Sequence, residues 1–170
     1  MLIGLETAAF PGQDTQEIER LLHMVVVGGG PTGVELSGEL HDFLEDDLKS
    51  WYPELASKIR ITLVEALPSV LPMFSKQLIN YTESTFKESK IEILTKTMVK
   101  EVKEKSVVLQ MPDKSIKEMP CGLVVWAAVR IASLSSFVDT DFTGIRVIVV
   151  VRLLEISWLN CLTFRPISVA

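Results

Sequence analysis

Hydrophobic and polar positions follow two different periods along the chain, and the changes between them predict its elements. A continuous apolar run, "MVVVG" over 24–28, predicts a strand that is buried on both faces. From Thr32 the apolar positions recur every three to four residues, which predicts an amphipathic helix. The runs "IRITLVE" over 59–65 and "IEILTKT" over 91–97 predict two more strands, and "SKQLINYTESTFKES" between them predicts a second amphipathic helix.

The remaining segments complete the order of elements. Before the first strand, "DTQEIERLL" predicts a short helix, because Asp14 and Glu17 have the spacing of a capping box. The segment "MVKEVKEKSVVLQMPDKSIKEMP" alternates and is interrupted at 104–105 and 112–113, which predicts an antiparallel hairpin or meander. "GLVVWAA" over 122–128 predicts another buried strand. This order predicts an α/β fold, a Rossmann-like βαβαβ parallel sheet with a small antiparallel β-meander.

Composition narrows the class of protein. The chain has 170 residues, of which 48% are hydrophobic and 23% charged, and this suits one ordinary folded domain. Its net charge of −5 argues against a nucleic-acid partner, which requires clustered Lys and Arg. Cys121 and Cys161 form no CxxC pair, and His23 and His41 flank apolar runs, so we expect no metal site and no disulfide framework. The start of the chain lacks the pattern of a secretory signal.

The composition changes near Ala128. All eleven lysines lie at or before Lys117, and four of the six arginines follow it. The regular start and stop signals of helices are also absent after this point, so we expect an irregular C-terminal tail over 129–170. Its apolar stretch "IRVIVVVRLLEISWLNCL" is shorter than the roughly 20 residues of a membrane-spanning helix and contains three charged residues, so no span is assigned.

The junction between the first strand and its helix reads "VVVGGGPTGVE". Gly28, Gly30 and Gly33 fit G-x-G-x-x-G in the context of strand before and helix after. In that motif the first glycine permits a tight turn, the second lets a pyrophosphate approach the backbone, and the third lets the helix lie close to the strand. The amides of the first helical turn, together with the helix dipole, then face the phosphates. The motif in this context predicts dinucleotide binding.

Two acids near this motif are candidate ligand contacts. Glu65 ends the second strand, where a carboxylate can accept hydrogen bonds from the adenosine ribose hydroxyls. The spacing to it exceeds the usual ~20 residues because "EDDLKSWYPELASK" lengthens the intervening helix and loop. Glu35 has two open interpretations, an acid placed in the first turn of the helix and favoured there by the dipole, or a group that faces the ligand.

Three stretches of this sequence resemble a known family. "HMVVVGGGPTGVELSGELHDFLEDDL", "YPELASKIRITLVEALPSVLPMF" and "PCGLVVWA" are similar to the NADH-binding domain of type II NADH:quinone oxidoreductases, particularly the fungal mitochondrial enzymes. The likeness runs from about Leu5 to Ala127. It implies a pyridine-nucleotide-disulphide-oxidoreductase-like NADH-binding domain over 5–128, followed by the divergent tail over 129–170.

The resemblance also implies an activity. In that family hydride passes from NADH to FAD, the flavin then reduces ubiquinone, no proton is pumped, and the enzyme lies at the surface of the mitochondrial inner membrane. NADH, FAD, ubiquinone and a membrane surface are therefore the implied cofactors and partners, and a homodimer is compatible with them. No catalytic residue and no metal ligand is assigned. The cofactor-binding residues carried over are Gly28, Gly30, Thr32 and Gly33 in the pyrophosphate loop, Glu35 near the nicotinamide, and Glu65 for preference of NADH.

Two departures from the family pattern qualify this function. The family's own FAD-binding glycine loop lies upstream of the matched region, and "WA" is followed here by Ala128-Val129-Arg130 where the family has Thr-Gly. We therefore interpret 129–170 as a fragment boundary and expect the isolated chain to lack sustained turnover. Two alternatives stay open: a stand-alone NADH-binding module without turnover, and a fragment of another two-domain flavoprotein, such as a ferredoxin reductase or a relative of apoptosis-inducing factor. The extension "ELHDFLEDDLKSWYP" favours the quinone reductase over the latter.

Overall fold

The chain is built around a parallel sheet and a smaller antiparallel sheet. A computed structural model describes residues 2–128 and 146–149. The parallel sheet has the strand order β3-β2-β1-β7-β8 and the antiparallel sheet the order β4-β5-β6. The strands are β1 (His23–Val27), β2 (Arg60–Val64), β3 (Glu92–Leu94), β4 (Met98–Val102), β5 (Ser106–Gln110), β6 (Ile116–Pro120), β7 (Leu123–Trp126) and β8 (Arg146–Val149). The predicted α/β fold, with a parallel sheet and an antiparallel meander, is confirmed.

Helices precede β1 and connect the first three strands. They are α1 (Leu2–Ala8), α2 (Thr15–Leu21), α3 (Pro31–Phe43), α4 (Lys49–Trp51), α5 (Pro53–Ala56) and α6 (Lys76–Glu88), with a π-helical turn (Leu44–Leu48) between α3 and α4. The connection from β1 to β2 thus contains α3, the π-helical turn, α4 and α5, which accounts for its unusual length. Ser75 caps α6, because its Oγ accepts a hydrogen bond from the Leu78 N–H.

The parallel sheet is covered on both faces, which explains the valine run. Successive side chains of a strand point to opposite faces, so Met24 and Val26 pack with the helices while Val25 and Val27 pack with the meander. The meander contributes Val107, Leu109 and Met119 to that second cluster. The result is three layers: helices, parallel sheet and antiparallel sheet.

Several details differ from the sequence prediction. Asp14 is the N-cap of α2, but its side chain makes no capping hydrogen bond. The Glu17 carboxylate pairs instead with the Arg20 guanidinium, with an Oε1 to Nη2 distance of 2.7 Å, so no capping box forms. Arg20 in turn donates to the Cys121 carbonyl, 3.0 Å away, and ties α2 to the start of β7. Helix α1 and strand β8 were not predicted.

Strand β8 is the part of the expected tail that the structure describes. It pairs in parallel with β7, with Leu123 opposite Arg146 and Trp126 opposite Val149. The other expectations for the tail, including the rest of its apolar stretch and its irregularity over 129–145 and 150–170, lie outside the described residues. Within the described residues no helix is both long enough and apolar enough to cross a membrane.

Candidate functional site

The predicted glycine loop leaves the carboxyl end of β1, between the ends of β2 and β7. Its neighbours hold it from both sides: the Gly28 N–H donates to the Val64 carbonyl, and the Ala127 N–H donates to the Val27 carbonyl, each at 2.8 Å. The chain proceeds from β1 to β2 and β3 on one side, while β7 lies on the other. Such a reversal of strand order opens a crevice at the carboxyl ends of the strands, which is where ligands bind in open α/β sheets.

Contacts within the chain require glycine at two positions of the predicted motif. Gly28 has a φ of +113°, and a Cβ there would lie 2.7 Å from the Ala128 nitrogen. A Cβ on Gly33 would lie only 1.8 Å from the Gly28 carbonyl oxygen. Both atoms belong to the backbone and cannot swing away. Gly28 therefore makes the turn, and Gly33 lets α3 approach the strand, as the motif predicts.

Gly30 is different, because the chain itself does not require glycine there. Its φ is −73° and its ψ is 179°, which is extended backbone that any residue adopts, and no heavy atom lies within 4 Å of an added Cβ. The space beside Gly30 is open. A glycine in open space at the start of a helix is the arrangement that lets a ligand approach the backbone closely.

The amides beside this space point out of the helix. Pro31 is the first residue of α3 and carries no N–H. The N–H of Val34 is the one that reaches back to the Gly30 carbonyl, at 3.0 Å, so Thr32 and Gly33 precede the first intrahelical hydrogen bond. Their amides lack an intrahelical acceptor, and they lie at the positive end of the helix dipole. This arrangement suits a phosphate.

Glu65 lies against the glycine loop. Its Oε2 accepts from the Gly29 N–H at 2.5 Å, and its Oε1 accepts from the Leu67 N–H at 2.7 Å. The carboxylate therefore reaches the loop from the end of β2. Because a carboxylate offers about four acceptor positions, each oxygen keeps capacity for one further donor.

The loop that follows β2 is also attached to the glycine loop. The Leu71 N–H donates to the Gly29 carbonyl at 2.8 Å, and Val70 and Leu71 are buried. Sequence reasoning missed Gly29 and Leu71, since the motif treats position 29 as any residue. Three consecutive glycines were the available signal.

Glu35 lies elsewhere on the helix. It is the fifth residue of α3 and is exposed, so it does not belong to the first turn, as the dipole argument assumed. Dipole effects fall off within that turn. The interpretation of Glu35 as an acid favoured by the dipole is therefore weakened, and its role toward a ligand stays a prediction.

The remaining candidate groups, His23 and Cys121, are buried in the core. His23 is 2% exposed, and its Nδ1 and Nε2 lie 2.8 Å from the Pro120 carbonyl and 2.9 Å from Thr62 Oγ1. Burial is the main cause that lowers the pKa of His23. Burial also raises the pKa of the Cys121 thiol to about 12, so this thiol is protonated at neutral pH and is a poor nucleophile. Among the described residues, no group of three potential ligands is placed to hold a metal ion.

Comparison with known proteins gives this site a context. The family model "Pyridine nucleotide-disulphide oxidoreductase" matches residues 4–147. The external alternative NADH-ubiquinone oxidoreductase of Yarrowia lipolytica mitochondria is 54% identical over 127 residues, which are 72% of this chain and 22% of that protein. A probable mitochondrial NADH-ubiquinone oxidoreductase of Schizosaccharomyces pombe is 53% identical over 117 residues, 66% of this chain and 21% of that protein. The chain thus spans about a fifth of the length of the curated relatives it matches.

A solved structure shares the fold. NDH2 from Plasmodium falciparum in complex with NADH superposes with a TM-score of 0.73 at 33% sequence identity, over 75% of this chain and 26% of that one. The resemblance stated from the sequence is confirmed by these relatives.

Proposed function

The chain belongs to the pyridine nucleotide-disulphide oxidoreductase family, and from that membership we propose that it is the NADH-binding portion of a flavin-dependent NADH:ubiquinone oxidoreductase. The names of its mitochondrial relatives, at 53% and 54% identity, support the reaction. The NADH named for the Plasmodium falciparum structure supports the nucleotide.

The observation that carries the proposal is the open space at Gly30. Every other glycine from Gly28 to Gly33 has a neighbour of this chain where a side chain would begin, and Gly30 has none within 4 Å. Gly38 also has open space, but Gly30 alone of the two lies at the start of α3 beside the amides of Thr32 and Gly33, so an external group explains the glycine at this position. The amides of Thr32 and Gly33 beside it select an anion, and the pyrophosphate of NADH is the anion that the family binds.

In this function the described residues bind and orient the nucleotide. Gly28, Gly30, Thr32 and Gly33 hold the pyrophosphate, and Glu65 accepts from the adenosine ribose. Glu35 lies further along α3, toward the nicotinamide. The flavin of the whole enzyme supplies the redox chemistry and accepts the hydride; the task of this chain is to place the nicotinamide against it.

Glu65 is the residue that favours NADH over NADPH in this proposal. Its two oxygens already accept backbone N–H groups, from Gly29 and Leu67, and their remaining acceptor positions suit the ribose hydroxyls. NADPH would bring a phosphate against this carboxylate. Two negative charges about 4 Å apart repel by roughly 4 kcal/mol at an effective dielectric near 20.

The names of the relatives support a compartment and an electron acceptor. These proteins are named as mitochondrial, and we place this chain in the same compartment, at the surface of the inner membrane with ubiquinone as the electron acceptor. Membrane association and a homodimer are predictions of the resemblance. Static light scattering of the purified chain and flotation with liposomes measure these two properties directly.

The proposal is tested by filling the open space. Gly30→Val should weaken NADH binding at least about tenfold, the effect of losing one charge-assisted hydrogen bond of about 1.5 kcal/mol. The free energy of unfolding should change by no more than about 1 kcal/mol, because valine replaces glycine at an N-cap. Fluorescence titration with NADH and thermal unfolding are the two measurements.

Gly38→Val is the matched control. Gly38 lies in the same helix, and no heavy atom is within 4 Å of its added Cβ. NADH affinity should be unchanged in this variant. If the unaltered chain fails to bind NADH, or if Gly30→Val binds it equally well, the proposed function is wrong.

A further inference from the structure

Gly29 occupies a position where the motif accepts any residue, yet it is glycine. Its backbone does not explain this, because the glycines with positive φ among the described residues are Gly12 and Gly28. The explanation is a neighbour: a Cβ on Gly29 would lie 2.9 Å from Glu65 Oε2 and 3.0 Å from Glu65 Cβ and Cγ. Glycine is needed here because the Glu65 side chain lies flat against the loop.

The peptide groups of Gly29 are held from both sides by the segment after β2. Its N–H donates to Glu65 Oε2, and its carbonyl accepts from the Leu71 N–H at 2.8 Å. The second carboxylate oxygen accepts from the Leu67 N–H, which fixes the rotation of the carboxylate. Val70 and Leu71, which are 0% and 6% exposed, anchor the segment in the core.

We propose that Gly29 is a positioning residue that acts through Glu65. Because Gly29 has no side chain, the Glu65 carboxylate can lie between the glycine loop and the ribose position. The residue that selects the nucleotide therefore also contacts the loop that binds the phosphate. The inference rests on the proposed function, because it assigns Glu65 to the ribose of NADH. It adds that the same carboxylate holds the loop that binds the pyrophosphate.

The first test displaces the carboxylate without removing it. In Gly29→Ala the new methyl group overlaps the Glu65 side chain, which must move. We expect NADH to bind about tenfold more weakly, which corresponds to about 1.4 kcal/mol, and the ratio of NADH to NADPH affinity to fall. Gly38→Ala, the control in open space, should leave both affinities unchanged.

A double-mutant cycle separates positioning from a general disturbance of the loop. In a Glu65→Ala background the carboxylate and the Cγ that Gly29→Ala would displace are already gone, and only the contact with Cβ at 3.0 Å remains. Adding Gly29→Ala to Glu65→Ala should therefore weaken NADH binding less than about twofold, since directly contacting residues are energetically coupled. An equal loss of affinity in both backgrounds would overturn the inference.

A measurement without nucleotide keeps this inference distinct from the proposed function. Gly29→Ala should speed amide hydrogen exchange at Leu67, whose N–H loses its carboxylate acceptor, and Gly38→Ala should not. An unchanged exchange rate at Leu67 overturns the role of Gly29, even if NADH binds. Faster exchange in a chain that binds no NADH supports the contact between Gly29 and Glu65 and refutes the proposed function.

Discussion

At the scale of single residues, Gly33 makes the tightest backbone approach of the glycine loop. Its added Cβ would lie 1.8 Å from a carbonyl oxygen that cannot rotate away. We expect Gly33→Ala to lower the free energy of unfolding by about 3 kcal/mol, the upper range for overpacked interiors. Gly38→Ala in the same helix should raise it by up to about 1 kcal/mol, because alanine favours the helix more than glycine. Urea denaturation measures both changes, and similar values at the two sites would contradict the contact.

Glu65 is the residue that should decide between the two nucleotides. The unaltered chain is expected to bind NADH about tenfold to a few hundredfold more tightly than NADPH, after solvent and salt reduce the repulsion. In Glu65→Gln the charge is removed, so NADPH affinity should rise and added salt should no longer change the ratio. NADH affinity should also fall by a few fold, because an amide offers one oxygen where two backbone N–H groups now find acceptors.

Fluorescence titrations at two salt concentrations provide this measurement. Glu88→Gln is a suitable control, since Glu88 is an exposed acid at the end of α6 and its loss changes the net charge equally. Equal binding of NADH and NADPH by the unaltered chain would show that Glu65 does not face the ribose.

Residue roles were predictable where a local pattern carries them. The spacing of Gly28, Gly30 and Gly33 between a strand and a helix predicted a turn at Gly28 and a close helix approach at Gly33, and the structure has both. The approach of a pyrophosphate to Gly30 stays a prediction. Gly29 was missed because its constraint comes from a residue 36 positions away. The capping box failed for a similar reason, since Glu17 has a stronger partner in Arg20.

At the scale of elements, His23 links three strands and makes their packing sensitive to pH. Its ring lies between the Pro120 carbonyl at the end of β6 and Thr62 on β2, and Thr62 Oγ1 lies 3.0 Å from a Glu92 carboxylate oxygen on β3. Burial lowers the pKa of His23 from the usual 6.5. The unfolded chain therefore binds a proton at a pH where the folded chain does not. The contribution of His23 to the free energy of unfolding is fully present above pH 6.5. It is lost as the pH drops toward the lowered pKa, by at most about 1.4 kcal/mol per pH unit.

The measurement is the free energy of unfolding between about pH 7.5 and about pH 5, a range above most carboxylate titration. His23→Gln should be less stable at neutral pH but should lose less stability on acidification than the unaltered chain. A slope that His23→Gln leaves unchanged would contradict this origin of the pH dependence.

Elements with a strong period were the ones that sequence reasoning found. The buried strands β1, β2 and β7 and the helix α6 were predicted with ends that differ by one or two residues, and the start of α3 was predicted to within one residue. Helix α1 has seven residues, with no acidic residue in its first turn and no basic residue in its last turn, so it lacks these start and stop signals. Strand β8 is short and belongs to the sheet through its pairing with β7, which a local pattern does not encode.

At the scale of the whole molecule, the domain boundary at Ala128 is a prediction that proteolysis can test. The sequence after Ala128 lacks the regular start and stop signals of helices. Proteases should therefore cut first within 129–170 and leave a core from about Leu5 to Ala128. Mass spectrometry of the fragments identifies the ends. Strand β8 pairs with β7 and lies beyond this boundary. A resistant core that ends after Val149 would contradict the boundary at Ala128 and move it past β8.

The glycine loop has one consequence for the thermodynamics of ligand capture. Gly28, Gly29 and Gly33 are each fitted to neighbours of the chain itself, so the loop has its shape without any nucleotide. A preorganised loop loses little conformational entropy on association. Calorimetry of NADH binding should therefore show no large heat-capacity change from coupled folding, because such changes accompany the ordering of disordered segments. The conformational entropy of this loop is lost when the chain folds and not when the nucleotide binds.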